Sequence, residues 1–446
     1  MGGEAVIGRI PSRLNFNLMT STEPHPSQPG QIRVMDLFAG AGGFSAGFAM
    51  YRPSQGGNPF VSVAAVEFDP AAASTYAANF GAAHVHAGDI ANFDPTPFKG
   101  QVDVILGGPP CQGFSGLGNE DPDDPRNELW REYVNVVAKV HPKIFVIENV
   151  DRFLKSGQYR ELEAASRKRG HPLHDYKVVT KVLNAADYGV PQARRRVIVI
   201  CTHKDFGEPL QHPAPTHDRH GCEPSEEDSQ GLLFSGLPDE GRRKPCWVPV
   251  SRIFEKSAKK VLLDHMPEPR EGDSYIPGIP GFYRTDDLHF GRNPEPLSRA
   301  RYKAIPENGN RNDLRGKYFK MDKSGKIWLS THKDYDRIDG DPVYLSTESW
   351  DRHNKGSGDV MGRLRENAPS VTIRTEFYKP EKGRYLHPKE DRPITHYEAA
   401  LIQGFPEDFK WYGSKIQIAR QIGNAVPTGL AVKLAEAIHT FLSSRS

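Results

Sequence analysis

The sequence predicts an α/β protein in which a doubly wound, Rossmann-like sheet domain carries a smaller inserted domain. Short apolar runs alternate with segments of helical spacing from residue 31 to about 200. This pattern is typical of a mostly parallel sheet covered by helices on both faces. The alternation stops near residue 203, and order returns only after residue 363. The interruption predicts the insertion, and 446 residues are enough for both domains.

The predicted strands and helices follow each other along the chain. The strands are IRVMDLF, VSVAAVEFD, VDVILGG, KIFVIENV, VVTKVLNAADYG and RRRVIVICT, and the helices between them are FSAGFAMY, PAAASTYAANF and NELWREYVNVVAKVHP. Pro70 suits the first turn of its helix because that position needs no amide donor. Near the carboxyl end, a helix is predicted from Thr395 to a cap at Gly404, and the last helix near 427–443. The turn after the first strand is the expected ligand site, because ligands bind at the carboxyl ends of parallel strands.

Composition narrows the class of function. Lys and Arg number 58 against 56 Asp and Glu, so the net charge of +2 excludes a uniformly basic nucleic-acid binder. A locally basic face is still expected, because residues 241–320 hold 17 Lys and Arg against 10 Asp and Glu. The 4 cysteines exclude a disulfide scaffold and favour a reducing compartment. With neither a signal peptide nor an apolar run of about 18 residues, we expect a cytoplasmic protein that does not contact a membrane.

The first motif, DLFAGAGGF at residues 36–44, follows the first predicted strand. Its glycines let the backbone approach a ligand closely, although the motif alone fits any dinucleotide site or a simple turn. Glu67 ends the second strand, where an acceptor for ribose hydroxyls would sit, and Asp89 lies one strand further on. Phe68 and Ile90 follow these acids and could sandwich an adenine ring or belong to the ordinary core.

The second motif, GGPPCQGFS at residues 107–115, follows the strand VDVIL directly. Two prolines stiffen the backbone before Cys111, and glycines flank the segment. A structural cysteine would more often lie within an apolar run. A cysteine on a stiff loop at the end of a strand is better placed as a nucleophile, and we expect that role for Cys111.

Three later motifs supply polar groups. Glu148 ends the strand FVIEN, where partial burial would let a carboxyl group hold a proton near neutrality; capping or ion pairing explains it equally well. Arg194 and Arg196 alternate as the chain enters the strand VIVIC, so their side chains point the same way. The segment GNAVP, residues 423–427, precedes the last helix.

This ordered set of motifs, which continues with YGVPQARRRV, RLRENAPSVTI and QIGNAVP, resembles the cytosine-C5 DNA methyltransferase family. The resemblance covers about 31–200 and 362–440. It implies a Rossmann-like S-adenosylmethionine-dependent methyltransferase domain that acts on a cytosine flipped out of duplex DNA. It also implies that the cofactor is bound by Phe38, Gly40, Gly42, Glu67, Phe68, Asp89, Ile90, Pro110, Leu129, Asn424 and Val426.

The resemblance assigns catalytic roles as well. Cys111 would add to C6 of the cytosine, Glu148 would bind N3 and the exocyclic amine, and Arg196 would contact the base carbonyl. Arg194 and Gln192 would brace the catalytic loop and the DNA backbone. The mobile loop would be residues 112–126, in which Gln112 and Ser115 are expected to contact DNA. An acidic run at residues 120–124 is unexpected beside phosphates.

The expected divisions are a flexible tail (1–30), the catalytic and cofactor-binding domain (31–200), the target-recognition domain (201–361), a hinge and return segment (362–420) and the carboxyl-terminal part of the catalytic domain (421–446). Duplex DNA is the expected partner of a monomer, beside a restriction endonuclease that acts separately; no metal site is expected. Unranked candidates for reading base edges are Arg242, Arg243, Arg299, Arg301, Arg311 and Arg315.

Three alternatives stay open from the sequence. A tRNA cytosine methyltransferase would share the core but would carry a Cys-Phe-Thr string, which this sequence lacks. A catalytically silent relative would usually have lost Cys111 or Glu148. An NAD-binding oxidoreductase would explain the first glycine turn but not the PPC or GNAVP segments.

Overall fold

Seven strands form the main sheet in the computed structural model, which describes residues 30–110, 126–220, 244–332, 340–352 and 359–445. The amino-terminal half contains β1 (Ile32–Leu37), α1 (Gly43–Met50), β2 (Phe60–Glu67), α2 (Pro70–Phe80), β3 (Val85–Ala87), β4 (Val104–Gly107), α3 (Arg126–Val140), β5 (Ile144–Asn149), α4 (Gly157–Arg167), β6 (Tyr176–Asn184), β7 (Gln192–Ala193) and β8 (Arg195–His203). The strand order is β3-β2-β1-β4-β5-β8-β6, with β8 antiparallel to both neighbours. The doubly wound fold is therefore confirmed, and the order reverses between β1 and β4, where ligands of such sheets bind.

Each face of this sheet is covered by its own helices, as the alternation along β4 requires. Val104 and Leu106 pack on one face with α1 and the last helix, while Ile105 faces α3 and α4. The last helix, α10 (Thr428–Ser443), lies so close to α1 that a Cβ on Gly47 would be 2.3 Å from that of Ala431. The carboxyl end of the chain thus closes the first domain, as expected.

Two smaller sets of elements follow the sheet. The first contains α5 (Ser251–Ser257), β9 (Tyr283–Arg284), α6 (Pro296–Ala304), β10 (Tyr318–Met321), β11 (Ile327–Ser330), β12 (Val343–Tyr344) and α7 (Glu348–Arg352). The second contains β13 (Ser370–Val371), α8 (His396–Gln403), β14 (Lys410–Trp411) and α9 (Lys415–Asn424). α8 has the predicted limits: Thr395 forms a capping box with Glu398, and Gly404 ends the helix at φ 91°.

The region expected as one target-recognition domain, 201–361, contributes to two separate cores. Val250, Phe254 and Phe290 pack with residues of the return segment, including Trp411. A second core lies between α6 and the three-stranded sheet β11-β10-β12. The expected boundary at 361 therefore crosses a packed unit, because residues near α5 share their core with α8 and α9.

Candidate active site

A cavity of about 1170 Å³ opens at the carboxyl ends of the central strands. Its walls come from the first glycine turn, the ends of β2, β4 and β5, the start of β8, the chain after β13, and α9 with the following loop. Most residues selected from the sequence line it together: Phe38, Gly40, Glu67, Phe68, Asp89, Ile90, Pro110, Leu129, Glu148, Arg194, Arg196, Asn424 and Val426.

The glycine turn is held in shape by Glu67. The amides of Gly40 and Asp69 donate to Oε2 and Oε1 of this carboxylate, each at 2.8 Å. The turn needs left-handed backbone at Phe38 (φ 56°), Gly40 (φ 56°) and Gly42 (φ 85°), which explains the glycines. A Cβ on Gly40 would meet no atom within 4 Å, so this backbone faces open space.

Gly42 packs against α2 behind the turn. It is buried, and a Cβ there would lie 2.3 Å from the ring of Phe80 on α2. Its missing side chain lets the start of α1 pack against α2. The glycine is thus required here for packing behind the turn, and the expected cofactor contact at Gly42 stays a prediction.

The side chains that follow β2 and β3 at the cavity differ in exposure. Phe68 is 74 % exposed at the rim, whereas Ile90 is buried at 3 %. The carboxylate of Asp89 accepts from the amide of Ala91 at 3.0 Å, which fixes the chain after β3. An aromatic ring left in water at a cavity rim is suited to stacking on a flat ligand.

Asp36, which sequence reasoning missed as a site residue, lies at the floor of the cavity. Its carboxyl is buried and accepts from Ser45 Oγ at 2.7 Å, and Ser45 in turn contacts the hydroxyl of Tyr76 at 2.8 Å. Burial raises the pKa of Asp36 to about 8; Ser45 opposes the shift and the charge of Glu67 adds to it. Burial also raises the pKa of Glu67, against its backbone hydrogen bonds. Asp36 could have been selected from the sequence, because it is a charged residue inside the apolar run VMDLF.

Glu148 and Arg196 form an ion pair on the other side of the cavity. Arg196 Nε lies 2.9 Å from Glu148 Oε1, and the two side chains are only 15 % and 10 % exposed. Next to Glu148, Asn149 Nδ2 donates to the carbonyl of Pro109 at 3.0 Å. The proline segment is thereby tied to the end of β5. Cys111, Gln112 and Ser115 lie outside the described residues.

Comparisons with known proteins place the chain in a family. A model of the C-5 cytosine-specific DNA methylases matches residues 32–440. The chain belongs to this family. The methylase is 30 % identical to the type II methyltransferase M1.HphI of Haemophilus parahaemolyticus, over 91 % of this chain and 86 % of that protein. It is 32 % identical to M.DdeI of Desulfomicrobium norvegicum, over 93 % and 90 %.

Solved structures agree on the fold of the methylase. A prophage-encoded E. coli protein, described as a DNA modification methyltransferase, superposes with a TM-score of 0.56 at 22 % identity, covering 93 % of this chain and all of that one (100 %). A DNMT2 from Spodoptera frugiperda gives 0.51 at 16 % identity, over 92 % and 99 %. Membership of the C-5 cytosine-specific DNA methylase family excludes the NAD-binding oxidoreductase, which the first glycine turn alone would have allowed. Over its described residues, the methylase has no helix long and apolar enough to cross a membrane.

Gln192 and Arg194, which are expected to brace the catalytic loop and the DNA backbone, are both buried inside the methylase. Gln192 is fully buried, donating to Gln403 Oε1 at 2.8 Å and accepting from the amide of Ile373 at 2.9 Å. Arg194 is 2 % exposed and donates to the carbonyls of Ile373 and Gly423. Burial, then the charge of Arg196, lowers the pKa of Arg194, and Glu148 opposes this. Their partners lie in the return segment and at Gly423, so both side chains join the start of β8 to the later part of the chain.

One wall of the methylase cavity was also missed from the sequence. Four polar side chains of α9 line it at spacings of one helical face: Gln417, Arg420, Gln421 and Asn424. Only Asn424 was selected, because it belongs to a motif. Counting back from it by three, four and seven residues would have found the others. Arg374, just after β13, is exposed at the same cavity.

Three of the four described candidate base-reading arginines are buried or contact other residues of the methylase. Arg301 donates to the carbonyl of Leu345 at 2.8 Å and lies over the ring of Trp350. Arg315 pairs with Asp351 at 3.6 Å. Arg311 is buried at 6 %, and Arg299 is exposed. Arg242 and Arg243 lie outside the described residues. The expectation that any of these arginines reads base edges stays a prediction.

Proposed function

We propose that this methylase is the modification enzyme of a restriction-modification system, which transfers the methyl group of S-adenosylmethionine to C5 of a flipped cytosine. The observation that carries the proposal is the single cavity that contains both the Gly40–Glu67 turn and the Glu148–Arg196 pair. One half suits a nucleoside-containing cofactor and the other suits a polar base edge. Methyl transfer requires both ligands in contact, and one shared cavity provides that.

The residues of the first half fit the proposed cofactor. The open space in front of Gly40 leaves room for a ligand against bare backbone. Each Glu67 oxygen accepts one amide proton, which leaves a second lone pair for a ribose hydroxyl. Phe68 offers a face for the adenine, and Asp89 an acceptor for its amine. Bound S-adenosylmethionine would supply an electrophilic methyl group.

The second half would activate the base. The thiolate of Cys111 would form a bond to C6, and the electrons of the C5–C6 double bond would move toward N3. Glu148 would supply the proton that N3 takes up, which prevents negative charge from building on the ring. Arg196 is placed to hold the Glu148 carboxyl and to donate to the base carbonyl. Once C5 carries the methyl group, N3 would return its proton to Glu148. Loss of the C5 proton to water would then restore the C5–C6 double bond and expel the Cys111 thiolate.

Basic side chains at the mouth would hold the DNA strand. Arg131, Arg374 and Arg420 are exposed and line the cavity beside Arg196. A target nucleotide drawn out of the duplex brings its own phosphates to this edge. We therefore assign phosphate contacts to this rim instead of to Gln192 and Arg194.

A tRNA substrate is the second hypothesis, and duplex DNA is favoured over it. The curated relatives named above are type II methyltransferases, and the Cys-Phe-Thr string is absent from this sequence. The retained Cys111 and Glu148 argue against a silent relative. We further propose a monomer, because one flipped cytosine needs one site, and a separate cognate endonuclease.

Tritiated S-adenosylmethionine tests the choice of substrate. The purified protein is incubated with duplex DNA carrying many short sequences and, separately, with total tRNA. Label in DNA, followed by bisulfite sequencing, is the expected result and gives the target sequence. Label in tRNA alone would contradict the proposal.

A further inference from the structure

We infer that Gln403, the last residue of α8, is a positioning residue that holds the cofactor-binding loop in register with the base-binding pair. The inference rests on the proposed function, since it concerns the same two halves of the cavity. Gln403 is fully buried, at 0 % exposure. Its role is defined by contacts to other residues, and it does not line the cavity itself.

The Gln403 amide joins two segments that are distant in sequence. Its Nε2 donates to the carbonyl of Ile422 at 2.5 Å and lies 3.4 Å from that of Ala425. Its Oε1 accepts from Gln192 Nε2 at 2.8 Å. Asn424, which lines the cavity, lies between the two carbonyls that Gln403 faces.

Gln192 extends the connection to the base side. Its Oε1 accepts from the amide of Ile373, and its own strand β7 pairs with β13. Arg194, two residues later, donates to the carbonyls of Ile373 and Gly423. Buried hydrogen bonds therefore run from the Asn424 loop through Gln403 and Gln192 to Ile373 and Arg194. From Arg194 the chain itself continues two residues to Arg196, which pairs with Glu148.

These bonds hold the loop against the chain that follows β13. A Cβ on Gly423 would lie 2.4 Å from both the carbonyl carbon of Arg374 and the amide nitrogen of Thr375. The two backbones are in contact, so a small shift of the loop is either blocked or moves Asn424 and Val426 away from the ligand. Because a buried amide without partners is costly, the Gln403 side chain has one favourable arrangement.

The test compares Gln403→Met, Gln403→Glu and a control, Ser257→Ala. Met keeps the volume but removes the donor and the acceptor. Ser257 is buried in the neighbouring core and donates to Glu398 at 2.9 Å, but it touches neither the loop nor Gln192. Binding of S-adenosylhomocysteine is measured by calorimetry well below each variant's melting temperature. We expect Gln403→Met to bind roughly tenfold more weakly, and Ser257→Ala to bind like wild type after losing similar stability.

Gln403→Glu separates positioning from folding by its pH dependence. When protonated, its hydroxyl can still donate to Ile422 and its carbonyl can accept from Gln192. When ionised, it would repel the Ile422 carbonyl. We expect near-normal affinity at about pH 5.5 and a marked loss at about pH 9, with a smaller change in wild type and Ser257→Ala.

Each outcome decides something. Weaker binding in Gln403→Met, or a pH-dependent loss confined to Gln403→Glu, supports the inference, and the second holds even if Gln403→Met does not fold. Wild-type affinity in Gln403→Met, with pH-independent binding in Gln403→Glu, overturns it and leaves the proposed function intact. If wild type itself fails to bind S-adenosylhomocysteine, the proposed function fails instead.

Discussion

Arg196 Nε lies 2.9 Å from Glu148 Oε1, and this contact joins two antiparallel strands at the cavity. Because both side chains are largely buried, the Arg196 side chain has little room to move to another partner. The pair presents a carboxyl and a guanidinium together, which matches the polar edge of a cytosine. Two residues selected separately from the sequence thus form one functional unit.

Changing this pair should affect catalysis more than DNA binding. We predict that Glu148→Gln lowers the single-turnover rate of methyl transfer by about 10²- to 10⁴-fold, because it cannot supply a proton to N3. DNA affinity, measured by fluorescence anisotropy, should change little. A Glu148→Gln protein with the wild-type rate would remove Glu148 from the mechanism.

Gly40 and Gly42 should respond differently to the same substitution. Both have positive φ, but a Cβ meets open space at Gly40 and the ring of Phe80 at Gly42. Gly42→Ala should therefore lower the free energy of unfolding more, by about 1–3 kcal/mol beyond the shared backbone cost. Gly40→Ala should mainly weaken S-adenosylhomocysteine binding. Urea unfolding and calorimetry on both variants check this, and equal losses of stability would contradict it.

Asp36 should make stability depend on pH. Its folded pKa, about 8, is above that of an unfolded aspartate, so the folded state keeps a proton that the unfolded state loses. The contribution of protonated Asp36 to the free energy of unfolding is fully present below about pH 4 and is lost as the pH rises to about 8. An asparagine does not titrate, so Asp36→Asn should not lose stability in this way. Relative to wild type, its free energy of unfolding should rise by on the order of several kcal/mol over this interval. Urea unfolding at several pH values checks it; a constant difference would exclude the shift.

Arg374 should contact a DNA phosphate and should not contribute to cofactor binding. We predict that Arg374→Gln weakens DNA binding and makes the slope of log affinity against log salt shallower by about 0.9. Arg167→Gln is the matched control, because Arg167 is 76 % exposed on α4 and pairs with Glu163. Unchanged DNA affinity with weaker S-adenosylhomocysteine binding would assign Arg374 to the cofactor instead.

Much of the fold could be predicted because its signals are local. Strands buried on both faces give continuous apolar runs, and Thr395 and Gly404 mark the ends of α8 through short-range capping. In residues 241–320 the sequence shows no pattern that predicts helices or strands. The elements there are short, and α5 packs mainly against α8, which is distant in sequence.

The limits at the site have the same physical origin. Glu67, Glu148 and Arg196 could be chosen because they end or begin predicted strands. The buried partners of Gln192 and Arg194 could not be predicted, because the residue that both contact, Ile373, lies 181 and 179 residues later in the chain. Gln403 could not be found, because nothing near it in sequence shows that its partners are Gln192 and Ile422.

Covalent trapping tests whether Cys111 forms a bond to C6 of the target cytosine. Duplex DNA containing the target sequence with 5-fluorocytosine at the methylated position is incubated with the protein and S-adenosylmethionine. Fluorine at C5 cannot leave as a proton does, so the cysteine should stay bound to C6. We predict a denaturant-resistant complex whose DNA is attached to the peptide containing Cys111, and no complex with Cys111→Ser. No adduct with intact Cys111, or an adduct that persists in Cys111→Ser, would contradict it.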